Sequence, residues 1–231
     1  QRSFRAGDIA ESTYLSSKSI VENHLGTLFA DLRIQEVNED VIYAKLDHVQ
    51  DLSSSTRRKI HQTLHRVLKF AKRKGIIGED PMEHIRAPAQ RNNKDRQMHC
   101  MTEVKARKFL DACDGRRLEN IFGMKLVTAA REAEMLALQS HDILGGEEIW
   151  IRNTLSDSET GPEVKPSPKT AASYRKIPLN TVAQRLLRAE MLKRRSEGRE
   201  NHQLLFSTST GTFHRRQNLM RRHFRPIVQE L

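Results

Sequence analysis

Cysteine is nearly missing from this chain of 231 residues, with Cys100 and Cys113 the only two. Two thiols cannot make a disulfide framework, and they lack the paired ligand spacing of a zinc site. Both read as reduced thiols of a cytoplasmic protein, with no metal and no cofactor expected. No apolar run approaches the ~18 residues that a membrane helix needs, so no membrane partner is expected. The N-terminus also lacks the basic, apolar and small-residue succession of a secretory leader. Acid is the other shortage. Asp and Glu number 29 against 40 Lys and Arg, leaving a formal charge of +11. Such an excess favours a polyanionic partner, because Lys and Arg gain affinity by displacing counterions from phosphates. The hydrophobic content of 37% is enough for a core, in one large domain or two modest ones.

The apolar spacing is mostly helical. Residues 17–32 carry Ile20, Val21, His24, Leu25, Leu28 and Phe29 on one face. Asn38 is placed as an N-cap ahead of Val41, Ile42, Leu46 and Val49, with Glu39 and Asp40 in the first turn. The run Ser53, Ser54, Ser55, Thr56 opens the longest helix, which continues to Lys74 and closes at Gly75. Its apolar stripe is Ile60, Leu64, Val67, Leu68 and Ala71. Asp80 and Pro81 predict a short helix through Ile85. Residues 87–97 (APAQRNNKDRQ) have proline, asparagine and charge without periodicity, as a linker does.

Beyond that linker, Thr102 starts a helix, and residues 118–138 are helical with a break at 128–131. The pattern then turns β-prone at 149–152 (IWIR) and 174–179 (YRKIPL), with 156–168 as the joining loop of a small hairpin. Helices are predicted again over 181–195 and 215–228, with Leu204, Leu205 and Phe206 a brief strand between them.

Two stretches concentrate positive charge. Between Leu52 and Glu79 no acid occurs, whereas Arg57, Arg58, Lys59, Arg66, Lys69, Lys72 and Arg73 all do. A helix that is merely soluble mixes signs along its length. One that buries one face and presents cations on the other can lie along a phosphate backbone. From Lys165 to Arg225 the acids are only Glu190, Glu197 and Glu200, against fifteen cations. Two basic surfaces joined by a polar linker suggest a clamp on a nucleic-acid duplex, DNA or RNA.

Two short boxes point to chemistry. In TAAREAEMLALQSHDI (residues 128–143), Arg131 falls at the helix break inside an apolar region. Buried there it needs a partner, which Glu134 can supply as a plain internal ion pair. Alternatively Arg131 projects toward an anion, with Glu134 orienting it. In PKTAASYRKIPL (residues 168–179), Lys169 sits at the tip of the expected hairpin.

These boxes resemble the TGLRxGELLxLxWxDI and PKTxxSxRxIPL boxes of the tyrosine recombinase, or phage integrase, family. Residues 52–85 (LSSSTRRKIHQTLHRVLKFAKRKGIIGEDPMEHI) are similar to the family's core-binding domain. Residues 204–231 (LLFSTSTGTFHRRQNLMRRHFRPIVQEL) are similar to the segment preceding its second signature. The four matches occur in order over nearly the whole chain. The resemblance implies a mainly α fold, with a helical SAM-like core-binding domain over 1–88 and a linker at 89–97. A partial α+β catalytic domain with a small antiparallel hairpin would follow over 98–231. It implies double-stranded DNA as partner, self-association on DNA, and strand exchange through a 3′-phosphotyrosine link during integration and recombination of mobile DNA. Arg131 would hold non-bridging oxygens of the scissile phosphate, Lys169 would protonate the departing 5′ oxygen, and Glu134 would shape the arginine pocket.

The chain also departs from the family pattern. Ala129 and Ala133 replace glycines of the first box. The HxxR box is missing: His202, His214 and His223 have no arginine three residues on, and they read as exposed histidines of basic helices. Tyr14, Tyr43 and Tyr174 are the only tyrosines, and none matches the nucleophile's position. The chain starts without methionine and stops within a basic helical pattern, as if cut from something longer. Half a catalytic site is expected, able to bind DNA without cleaving it. The rival readings are a non-catalytic DNA-binding competitor of an intact recombinase, or a helical transcription regulator, which has no use for both boxes.

Overall fold

The computed structural model describes residues 9–89, 101–116, 118–166 and 173–231. The chain divides into two compact units, Gln1–Met98 and His99–Leu231. Most of the expected linker, Cys100 and Lys169 lie outside the described residues. Among those described, no helix is long and apolar enough to cross a membrane.

The first unit is helical. Helix α1 (Glu11–Ile20) runs on through a π turn (Val21–Leu25) and ends with Gly26–Leu28. It therefore begins earlier and stops sooner than the expected 17–32. Helix α2 (Glu39–Asp47) starts where Asn38 Oδ1 accepts the Val41 N–H at 2.9 Å. Helix α3 (Ser54–Arg73) starts where Ser53 Oγ accepts the Thr56 N–H. Both caps satisfy amide groups that a helix start leaves open.

Ile20, Leu25, Ile42, Ile60, Leu64 and Leu68 form the core of this unit, closed by Met82 and Ile85. Val67 is a correction to the expected stripe, because it is 40% exposed. His61 and Thr63 take up the buried edge instead. Desolvation pushes the pKa of the His61 ring down, and its Nε2 meets the Ile85 carbonyl at 3.2 Å. The helix expected after Pro81 is also absent. Residues 81–84 are turns, since Asp80 Oδ1 accepts the Met82 N–H at 2.9 Å and folds the chain back.

In the second unit, α4 (Glu103–Cys113), α5 (Glu119–Thr128) and α6 (Glu132–Leu136) precede a sheet, and α7 (Thr181–Ser196) follows it. The chain ends in a helical run with a π segment (Leu219–Phe224) leading into α8 (Arg225–Gln229). Phe109, Phe122 and Phe224 pack as a triangle with ring centroids 5.6–6.1 Å apart. Gly123 lies where α5 meets α7: a Cβ there would stand 2.7 Å from Leu186 Cδ1, so the end of that leucine would have to turn aside.

Strands β1 (Ile143–Leu144), β2 (Glu148–Ile151) and β5 (Arg175–Pro178) form one antiparallel sheet in the order β1-β2-β5. Ile149 pairs with Ile177 in it. The segment expected as a loop forms a second hairpin of β3 (Asn153–Ser158) and β4 (Gly161–Pro166). Its turn is closed by Ser158 Oγ donating to the Gly161 carbonyl at 2.7 Å, with Gly161 at φ 123°. Ser, Pro and Glu have low strand preference, so only the cross-strand pairing, such as Leu155 with Val164, reveals it. The expected strand at 204–206 is reduced to single bridges, Gln139 with Leu204 and Ser207 with Phe213.

The revised α3 stripe can be measured. Leu68→Ala should cost about 2–5 kcal/mol in chemical denaturation, as deletion from a closed core does. Val67→Ala should stay within about 0.5 kcal/mol. Equal losses would restore the original stripe.

Candidate phosphate-binding site

The break between α5 and α6 is built locally. Thr128 Oγ1 donates to the Met124 carbonyl at 2.6 Å, and Ala129 takes the left-handed conformation at φ 50°. This is the only positive φ at a non-glycine among the described residues. Reversal of the chain there ends α5 and delivers Arg131, in extended backbone, to the start of α6.

Arg131 is not the buried cation that its apolar surroundings suggest; its side chain is 73% exposed. The buried member is Glu134, at 2%. Glu134 Oε2 accepts the Arg131 backbone N–H at 2.9 Å, and Oε1 accepts Arg131 Nη1 at 2.9 Å. One carboxylate thus fixes both the backbone and the side chain of Arg131. Glu134 also receives both Nη groups of Arg175, at 3.2 and 2.8 Å. Burial by itself pushes the Glu134 pKa up. Hydrogen bonds from Arg175 and from the Arg131 backbone and side chain outweigh it, holding the group at about 2.

Arg175 belongs to the second box, where its sequence context gives it no role. Its partner lies 41 residues away, which no pattern within the strand reveals. Lys169 lies outside the described residues.

The cations of α3 and its C-cap separate into four groups. Arg58, Lys59 and Lys69 make no ion pair among the described residues. Arg57 and Arg66 bond to neutral groups, Arg57 to Gln50 and Arg66 to Ser17 Oγ (3.1 Å) and Thr63 Oγ1 (3.2 Å). Lys72 meets Glu83 at 3.5 Å, and Asp80 stands 3.3 Å from His65, so acids missing from the helix return from the turn after it. Arg73 and Lys74 lie over the half-exposed Phe70 ring, at 5.4 and 5.9 Å from its centroid.

The C-terminal cations are thinned more heavily. Arg194 is buried and donates to Ser140 Oγ at 2.9 Å and to the His202 carbonyl at 2.5 Å. Arg199 is buried between Glu190 (3.3 Å) and Glu197 (2.5 Å), with Asn120 donating to Glu190 at 3.0 Å. Arg152 binds the buried Asp142 at 2.5 Å. These charges hold the fold. The expected exposure of three histidines is also corrected: His202, His214 and His223 are all half-buried. His202 shares a hydrogen bond with Ser207 Oγ at 2.9 Å and packs beneath Gly211.

No protein-family model matches the chain, and no curated protein matches it in sequence. Solved structures do match. The integrase of transposon Tn1549, in complex with a circular intermediate DNA, is similar with a TM-score of 0.72 at 17% identity, over 99% of this chain and 75% of that one. Lambda integrase, as a dimer bound to a COC′ core site, has a TM-score of 0.68 at 15% identity, over 99% and 77%. As a tetramer bound to a Holliday junction it has 0.65 at 15%, over 95% and 58%. The chain shares the fold of these integrases, mostly helical with a small antiparallel sheet.

Two outcomes follow from this geometry. Ala129→Gly should stabilise the protein by about 0.5–1 kcal/mol, because relief of the left-handed penalty exceeds glycine's added chain entropy. Glu134 is depressed from its ordinary 4.5 to about 2. Its contribution is therefore present above pH 4.5 and lost as pH falls toward 2, on the order of 3 kcal/mol. Urea unfolding across that window should show Glu134→Gln with a flatter acid limb than the parent.

Proposed function

We propose that this chain is the DNA-gripping part of a site-specific recombinase of the tyrosine recombinase class, acting on double-stranded DNA in integration and recombination. The observation that carries the reading is Arg131: an exposed guanidinium, held at a helix break by a buried carboxylate, in a chain with the fold of two integrases. A guanidinium fixed at its backbone and at one nitrogen is pre-organised for a phosphate, and its charge-assisted bonds to phosphate oxygens lose little entropy on forming.

In this reading residues 1–88 are a SAM-like core-binding domain, 89–97 a linker, and 98–231 the catalytic portion. Arg58, Lys59 and Lys69 contact backbone phosphates, assisted by Arg57, Arg66 and Arg73. Lys72 joins them once Glu83 releases it. Arg131 holds the non-bridging oxygens of the scissile phosphate, Glu134 positions Arg131, and Lys169 is the acid for the 5′ oxygen; none of Tyr14, Tyr43 and Tyr174 supplies the attacking hydroxyl, so these residues bind the phosphate without cleaving it. Self-association on DNA is part of the proposal, supported by the dimer and tetramer of lambda integrase.

Salt titration of duplex binding tests this. Each phosphate contact contributes about 0.9 to the slope of log K against log[salt]. Arg131→Ala should lower the slope by about 0.9. Replacing Arg58, Lys59 and Lys69 together should lower it by up to about three times that, equally on all sequences. Lys169→Ala should leave binding nearly unchanged. A flat slope for the parent protein would overturn the reading.

A further inference from the structure

Glu134 raises an electrostatic difficulty for the site just described. A carboxylate 2.9 Å from Arg131 fixes the guanidinium in place but also cancels its charge. A neutral pair attracts a phosphate only as a dipole, and a buried carboxylate behind it repels the anion. The structure answers with a second cation. Arg175 lays both Nη groups on the two Glu134 oxygens, at 3.2 and 2.8 Å, the fork-on-carboxylate geometry that lysine cannot reproduce.

Arg131 spends only Nη1 and its backbone N–H on Glu134. Its Nε and Nη2 have no partner among the described residues, and 73% of the side chain faces solvent. The neighbouring acid follows the same rule. Glu132 is shared by Lys125 at 3.7 Å and Arg216 at 3.3 Å. Each acid of the α6 turn is thus covered by two cations, leaving a surplus of positive charge where Arg131 emerges.

We propose that Arg175 is a positioning residue which neutralises Glu134, so that Arg131 is held by that carboxylate yet keeps a net positive charge for a DNA phosphate. The inference rests on the phosphate role of Arg131 proposed above. Arg175 touches no phosphate itself; it acts through Glu134. It also opens β5, so this strand is tied by the fork to the start of α6.

The test compares salt slopes on a mixed-sequence duplex, with thermal unfolding of every variant alongside. Arg175→Gln should lower the slope by about 0.9, as Arg131→Ala does. The double variant Arg131→Ala/Arg175→Gln should fall no further than either single one. Arg175→Gln/Glu134→Gln should return the slope to the parent value, because no carboxylate is left to cancel Arg131. A purely structural role would lower the unfolding temperature of Arg175→Gln without moving its slope, and that result overturns the proposal. Should Arg175→Gln fail to fold, the paired neutral variant decides: the parent slope supports charge balancing, and a slope still reduced by about 0.9 means that Arg175 contacts phosphate directly. If Arg131→Ala leaves the slope unchanged, the phosphate site itself is wrong. If Arg131→Ala lowers it and Arg175→Gln does not, only the role of Arg175 is lost.

Discussion

The Glu134 carboxylate is almost wholly out of water, and a buried charge persists there only because four hydrogen-bond donors from two arginines and one backbone amide converge on it. That convergence organises the second unit around its break. It caps the start of α6, orients Arg131 outward, and ties β5 to a helix turn 41 residues earlier in the chain. Removing either arginine would leave the buried carboxylate with one counter-charge and fewer donors, so the two arginines hold it together. A site that must present a cation at a defined place benefits from such rigidity, since pre-organised charge needs no rearrangement when an anion arrives.

Net charge and usable charge differ sharply in this protein. The +11 excess and the two basic stretches suggest broad cationic surfaces. In the folded chain, Arg194 and Arg199 are interior groups serving backbone carbonyls and glutamates, and Arg175 serves Glu134. Lys72 is matched by Glu83. What remains on α3 is a smaller set, Arg58, Lys59 and Lys69 above all. A polyanion would meet these first, at little cost, because no ion pair has to be broken. Lys72 differs: it already pairs with Glu83, in an exposed contact of little strength.

Ala129 shows how a departure from a family pattern is absorbed. The related box has glycine at this position, and the left-handed backbone explains the preference. Alanine is tolerated because Thr128 closes the preceding turn and Glu134 secures the following one. The two hydrogen bonds over-determine a conformation that alanine alone disfavours.

The sequence by itself determined the features whose physics is local. Asn38, Ser53 and Thr102 each cap a helix through an amide three residues on, and all three were legible as caps. The helix break at 128–131 and the strands around IWIR and YRKIPL were legible for the same reason, since propensity and period act within a few residues. Arg131 and Glu134 could be paired from their spacing alone. Tertiary structure decided the rest. It chose which of the two is buried, recruited Arg175, and placed Asp80 and Glu83 beside the basic helix. It paired β3 with β4 against their weak propensity, and it buried His61 in place of Val67. Each of these depends on which distant segment arrives to exclude water or to supply an opposite charge. Burial and Coulomb energy are set by those neighbours, and no local pattern of residues encodes them.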